Sequence, residues 1–148
     1  MKKFKIGYTT GVFDMFHIGH LNILKKAKEA CDHLIVGVST DELVLSEKNK
    51  VPIIPFDERC EILKSIRYVD EVVAQTDKNK FKAWENYKFD AMFVGSDWKG
   101  KPIFMEAEKK LNTVGVKVVY FDYTKHISST LLRERLCETE DDTNKNNK

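Results

Sequence analysis

Apolar and polar positions alternate along the chain in short runs of two kinds. Residues 3–10 carry Phe4, Ile6 and Tyr8 two apart, the period of a strand. Residues 18–30 instead set Leu21, Ile23, Leu24 and Ala27 among lysines at helical spacing. Residues 33–39 are almost continuously apolar, as in a strand covered on both faces. Thr40 can cap a short helix whose first turn holds Asp41 and Glu42. Residues 47–55, with Lys48, Lys50, Pro52 and Pro55, break the pattern and read as an exposed loop. Pro55 then precedes a helix over 57–66 with an apolar stripe of Cys60, Ile62, Leu63 and Ile66. A strand at 70–74, a helix at 79–87, a strand at 91–94 and a loop at 95–100 follow. A helix at 103–113, a strand at 116–121 and a last helix, capped by Ser128 or Ser129 and ending near Leu136, complete the pattern. Residues 138–148 hold no apolar side chain, so one domain over 1–136 and a disordered tail over 137–148 are expected.

This alternation predicts an α/β fold: a doubly wound, five-stranded parallel sheet of Rossmann-like type. Such sheets bind ligands beyond the carboxyl ends of their strands, where strand order reverses. The strand exits at Thr10, Ser39, Val94 and Phe121 should therefore meet near one crevice.

Composition narrows this only by exclusion. The 148 residues are 42% hydrophobic and 32% charged, with a net charge of +2 that gives no reason to expect nucleic acid or membrane as partner. No apolar run approaches the ~20 residues of a membrane span, and no apolar segment follows the basic residues 1–5. Three cysteines without framework spacing suit a reduced, cytoplasmic protein.

Candidate chemistry concentrates between the first strand and the first helix. There the chain reads Thr9-Thr10-Gly11-Val12-Phe13-Asp14-Met15-Phe16-His17-Ile18-Gly19-His20. A strand that turns into a helix presents backbone N–H groups to an anion. His17 and His20, three apart, share one helix face and can aim at one ligand. A solvated histidine pair is the bland alternative, and zinc, with Cys31 and His33 as extra ligands, is another, although no four-ligand spacing occurs. No GxGxxG, P-loop or GxSxG pattern is present. Loop lysines and a second hydroxyl-rich helix start at Ser128-Ser129-Thr130 add phosphate donors. The set suits phosphoryl or nucleotidyl transfer, which needs in-line positioning and charge neutralisation.

Residues 11–20 resemble the HxGH signature of the nucleotidyltransferase superfamily, and residues 127–133 resemble its C-terminal Ile-Ser-Ser-Thr signature. Stretches 38–42, 66–72 and 95–100 are most similar to the family of small glycerol-3-phosphate cytidylyltransferases. This resemblance implies that His17 and His20 contact the CTP phosphates and that Lys48 clamps them, all three catalytic. It implies that Thr10, Gly11, Val12 and Phe13 line the nucleotide and that Asp14 organises their turn. Asp97 and Trp98 would read the cytosine. Ile127, Ser128, Ser129 and Thr130 would hold the terminal phosphates, and Lys50, Arg59 and Arg67 would bind substrate. No protein metal site is implied, only Mg²⁺ carried by the CTP phosphates, and the assembly expected is a homodimer. The expected reaction joins CMP from CTP to a phosphorylated alcohol, sn-glycerol 3-phosphate first, with release of pyrophosphate. Two alternatives stand beside it: transfer from CTP or ATP to another phospho-acceptor, and a nucleotide-binding regulatory module without turnover. Residues 123–126 read Tyr-Thr-Lys-His where the family often has Arg-Thr-Glu-Gly, and the lysine loop is one residue longer.

Overall fold

In the computed structural model, residues 3–96, 99–122, 124 and 127–146 are described. Five strands, β1 (Phe4–Gly11), β2 (Cys31–Ser39), β3 (Glu71–Gln75), β4 (Ala91–Gly95) and β5 (Lys117–Phe121), form one sheet in the order β3-β2-β1-β4-β5. Every pairing is parallel, with Thr9 of β1 opposite Val36 of β2 and Phe93 of β4. The chain moves outward from β1 to β3, then returns to the other side of β1 for β4. Strand order thus reverses between β1 and β4, and the crevice of such a sheet lies there.

Helices α1 (Ile18–Ala30), α2 (Asp41–Lys48), α3 (Phe56–Lys64), α4 (Lys80–Tyr87), α5 (Pro102–Thr113) and α6 (Ser129–Asn146) connect and flank the strands. One core layer joins α1 and α3 to the sheet through Leu24, Ala27, Leu63, Leu34, Val36 and Phe93. The opposite layer buries Tyr8, Ile35, Met92, Phe104 and Leu111 beneath α4 and α5. Side-chain caps start α2 and α4: Thr40 Oγ1 accepts from the Leu43 N–H at 3.2 Å and Asn79 Oδ1 from the Lys82 N–H at 3.0 Å. Among the described residues no helix is long and apolar enough to cross a membrane.

Three boundaries differ from the pattern-based expectation. β2 begins at Cys31, two residues early, because Cys31 already pairs with Phe4. Lys48 closes α2 instead of opening a loop: Asn49 takes the left-handed cap (φ 53°) that ends the helix. α6 runs past Leu136 to Asn146, a stretch with no Gly or Pro to stop it.

Candidate active site

The turn that leaves β1 is tightly specified. Phe13 (φ 56°) and Met15 (φ 49°) both take the left-handed conformation that L-residues seldom adopt. Surrounding groups hold them there. The Phe13 ring is buried, with its edge on His20 at 5.3 Å between centroids. Asp14, 2% exposed, anchors the turn. Its carboxylate accepts the backbone N–H groups of Ile53 and Ile54, each at 2.8 Å, and pairs with Arg133 of α6. Its carbonyl accepts the Ser129 hydroxyl at 2.6 Å. Burial alone would raise the Asp14 pKa; the two N–H groups and Arg133 outweigh it and hold the carboxyl below its ordinary value.

Arg59 braces the same turn from below. It was expected to bind substrate, yet it is 1% exposed. Its guanidinium donates to the carbonyls of Val12 (2.7 Å), Ser39 (2.8 Å) and Ile54 (2.9 Å) and to Asp41 at 2.6 Å. Four bonds to fixed groups leave it no face for a ligand. Its role is to tie the ends of β1 and β2 to the 50s segment.

His17 is the N-cap of α1, and its Nδ1 accepts the Gly19 N–H at 3.0 Å. His20 Nδ1 accepts the His17 N–H at 3.3 Å, completing a reciprocal cap. The rings stack 3.9 Å apart. Since both Nδ1 atoms accept, each neutral imidazole carries its proton on Nε2. His17 Nε2 is buried and has no partner among the described residues, a donor waiting for an acceptor. Burial lowers the His17 pKa; burial, helped by His17 and opposed by Asp14, brings His20 down to about 4. The pair is therefore neutral near pH 7. Gly19 permits this packing: a Cβ there would lie 2.8 Å from the His17 ring.

The second helix start meets the first. Ser128 Oγ caps α6 by accepting the Leu131 N–H at 3.0 Å, and Ile127 lies 3.7 Å from where a Gly19 side chain would begin. Thr130 is exposed beside them. Lys48 is pushed below its ordinary pKa, first by burial and then by Lys50, with Arg133 contributing, which places the three cations in one neighbourhood. Lys50 itself is exposed.

Two residues with no expected role also face this region. Arg133, at the end of the signature stretch 127–133, holds Asp14, and its Nε is buried without a partner among the described residues. Lys80, the first residue of α4, donates to Thr10 Oγ1 at 3.0 Å. Burial lowers its ammonium to about 8, against Glu47 and Asp77, which favour the charge. Arg67 is not brought here. It is exposed, lies over Tyr68 at 5.1 Å and precedes β3, at the opposite end of the sheet from the strand exits. Asp97 and Trp98, and Tyr123, Lys125 and His126, lie outside the described residues.

An all-parallel sheet with its order reversed at β1, and two helix N-termini converging there, defines a Rossmann-like nucleotidyltransferase fold. The chain belongs to the cytidylyltransferase-like family, whose sequence model matches residues 8–135. It is 36% identical over 136 residues to the glycerol-3-phosphate cytidylyltransferase of Bacillus subtilis (strain 168), covering 87% of this chain and 95% of that enzyme. It is 39% identical over 109 residues to the FAD synthase of Pyrococcus abyssi (strain GE5 / Orsay), covering 73% and 72%. Among solved structures it resembles the lipopolysaccharide core biosynthesis protein of Thermoplasma volcanium GSS1, with TM-score 0.68, 27% identity and coverage of 84% and 99%.

Proposed function

We propose that this protein transfers CMP from CTP to a small phosphorylated alcohol, sn-glycerol 3-phosphate first among candidates, and releases pyrophosphate. The observation that carries this reading is the junction of the two signature stretches. Asp14 joins the N-terminus of α6, through Ser129 and Arg133, to the turn that holds His17 and His20. The start of α6 and the two neutral imidazoles then meet at one turn, with the Lys48 ammonium in the neighbourhood of Arg133. The 36% identity to a glycerol-3-phosphate cytidylyltransferase supports the choice of base and acceptor.

In the proposed reaction an acceptor phosphate oxygen attacks the α-phosphorus of CTP in line. A P–O bond forms there as the bond to the β-phosphate oxygen breaks. Nε2–H donors of His17 and His20 stabilise charge on the α-phosphate, while Lys48 and the start of α6 bind the β- and γ-phosphates, which leave as pyrophosphate. No protein nucleophile takes part. Lys80, at Thr10, anchors the acceptor phosphate on the other side of the turn. Among the described residues no three His, Cys, Asp or Glu side chains gather as a metal cage. The same proposal has Mg²⁺ enter with the nucleotide, held by phosphate and water. A homodimer is part of the same proposal, checked by sedimentation.

Pyrophosphate release, measured with each of four nucleoside triphosphates against glycerol 3-phosphate, phosphoethanolamine, phosphocholine and FMN, tests the reading. The expected maximum is CTP with glycerol 3-phosphate. ATP with FMN is the second reading, favoured by the 39% identity to an FAD synthase. CTP binding without release under any pairing would instead mark a regulatory module.

A further inference from the structure

The end of α2 places one acid, Glu47, among lysines. Glu47 and Lys48 are consecutive, so their side chains leave the helix in different directions. Lys48 feels Arg133 of α6. Glu47 instead reaches toward α4: its carboxylate pairs with Lys78 at 3.4 Å, and its side chain is 22% exposed. Two residues further on, Lys80 donates to Thr10 Oγ1 at 3.0 Å in a partly buried contact. The exit of β1, the end of α2 and the start of α4 therefore meet around Lys78, Lys80 and Glu47.

An ammonium group withdrawn from water needs a counter-ion, or it gives up its proton. The Thr10 hydroxyl is neutral and cannot serve. The charged groups facing Lys80 are Glu47 from α2, and Asp77 and Lys78 from the segment before α4. Asp77 is engaged elsewhere: it accepts the Asn79 N–H at 2.7 Å and pairs with Lys82 at 3.4 Å. Glu47 favours the Lys80 charge more than Asp77 does, and by pairing with Lys78 it also offsets the cation that opposes that charge. The balance leaves the ammonium at about 8, so loss of one carboxylate would bring its titration into the neutral range. Glu47 must also repel an incoming phosphate. The two effects separate by pH: repulsion acts at every pH, whereas support of Lys80 matters only where that lysine titrates.

We infer that Glu47 is a positioning residue of the proposed reaction: as counter-ion to Lys80, it keeps a charged ammonium at Thr10 before any phosphate arrives. This rests on the transferase reading above. The test is Glu47→Gln, which removes the charge and keeps the shape, read in two ways. The Lys80 side chain is titrated by NMR without substrate in protein carrying carbon-13-labelled lysine, its signal assigned with Lys80→Arg. The acceptor KM is measured with CTP and the acceptor that turns over fastest, at about pH 6.5 and about pH 8. Glu47→Gln should lower the Lys80 midpoint by about one unit. It should then raise the acceptor KM about five-fold at the higher pH and less than about 1.5-fold at the lower. Glu47→Asp, which keeps the charge, should stay within about two-fold of wild type at both. An unchanged Lys80 midpoint in Glu47→Gln overturns this inference alone. So does an acceptor KM that moves by the same factor at both pH values, in either direction. A wild-type protein that releases no pyrophosphate with any nucleotide and acceptor overturns the transferase reading, and the role of Glu47 in it, even where the midpoint moves.

Discussion

Between Gly11 and His20 the Val12 carbonyl, the Asp14 carboxylate and both imidazole Nδ1 atoms are held, by Arg59, Ile53, Ile54 and Arg133 or by the N–H groups of His17 and Gly19, whereas the ammonium groups of Lys48 and Lys50 have no hydrogen-bond partner among the described residues. The first region is neutral where it meets a ligand; its imidazoles are uncharged and its one carboxylate is buried under Arg133. The second is charged and largely in water. Fixed dipoles lose nothing by reorganising when charge develops, so the turn suits a transition state. Solvated lysines attract an anion in any of its states, so they suit binding. Removing groups from the turn should thus cost kcat or the fold, and removing them from the lysine pair should cost KM.

The largest effect is expected at the brace beneath the turn. Arg59→Ala strips the carbonyls of Val12, Ser39 and Ile54 of their donor and leaves the Asp41 carboxylate with only the Phe56 N–H. A loss of about 3–5 kcal/mol in stability should follow, read from the urea midpoint. Arg59→Lys should recover little, because an ammonium cannot span the same fork. A midpoint within about 0.5 kcal/mol of wild type would show that the turn stands without its brace.

Next come the imidazoles. His17→Ala and His20→Ala should each lower kcat about 10²-fold or more, with KM for CTP changed far less. Their titration gives an independent check. The folded His20 pKa lies below its ordinary 6.5, at about 4, so the unfolded chain takes up a proton first as pH falls. The stability associated with a neutral His20 is complete above pH 6.5 and declines between 6.5 and about 4. The loss is on the order of 3 kcal/mol, and His20→Asn should flatten this slope in pH-dependent denaturation. An unchanged slope would mean that other groups carry it.

How much of this was legible beforehand depended on how local each signal was. Strands and helices were readable because period and flanking caps sit within a few residues, as with Thr40 before α2. His17, His20 and Asp14 were readable because one contiguous turn carries them. Arg59 was not: in Phe-Asp-Glu-Arg-Cys-Glu it looks like any exposed helix charge. Its acceptors lie at positions 12, 39 and 54, brought together only by the sheet. Lys80 hides among Lys78 and Lys82, and its partner Thr10 is 70 residues away. Arg67 misled for the converse reason, since local similarity does not say at which end of β3 a residue lies.

The smallest expected effect decides whether the two regions really differ. Lys48→Ala should raise KM for CTP about ten-fold, and Lys50→Ala about two- to three-fold, with kcat nearly kept. The gap follows from surroundings: both lysines are exposed, but partial desolvation and the nearby Lys50 and Arg133 hold the Lys48 pKa below its ordinary value. Added salt should erode the Lys50 effect first. Lys48→Arg should restore most of the affinity, since charge there matters more than shape. If Lys48→Ala instead lowers kcat as severely as His17→Ala and leaves KM alone, the lysine acts on charge that exists only in the transition state. Its position at the end of α2 would then have to be as firmly fixed, once nucleotide is bound, as the histidine turn already is without it.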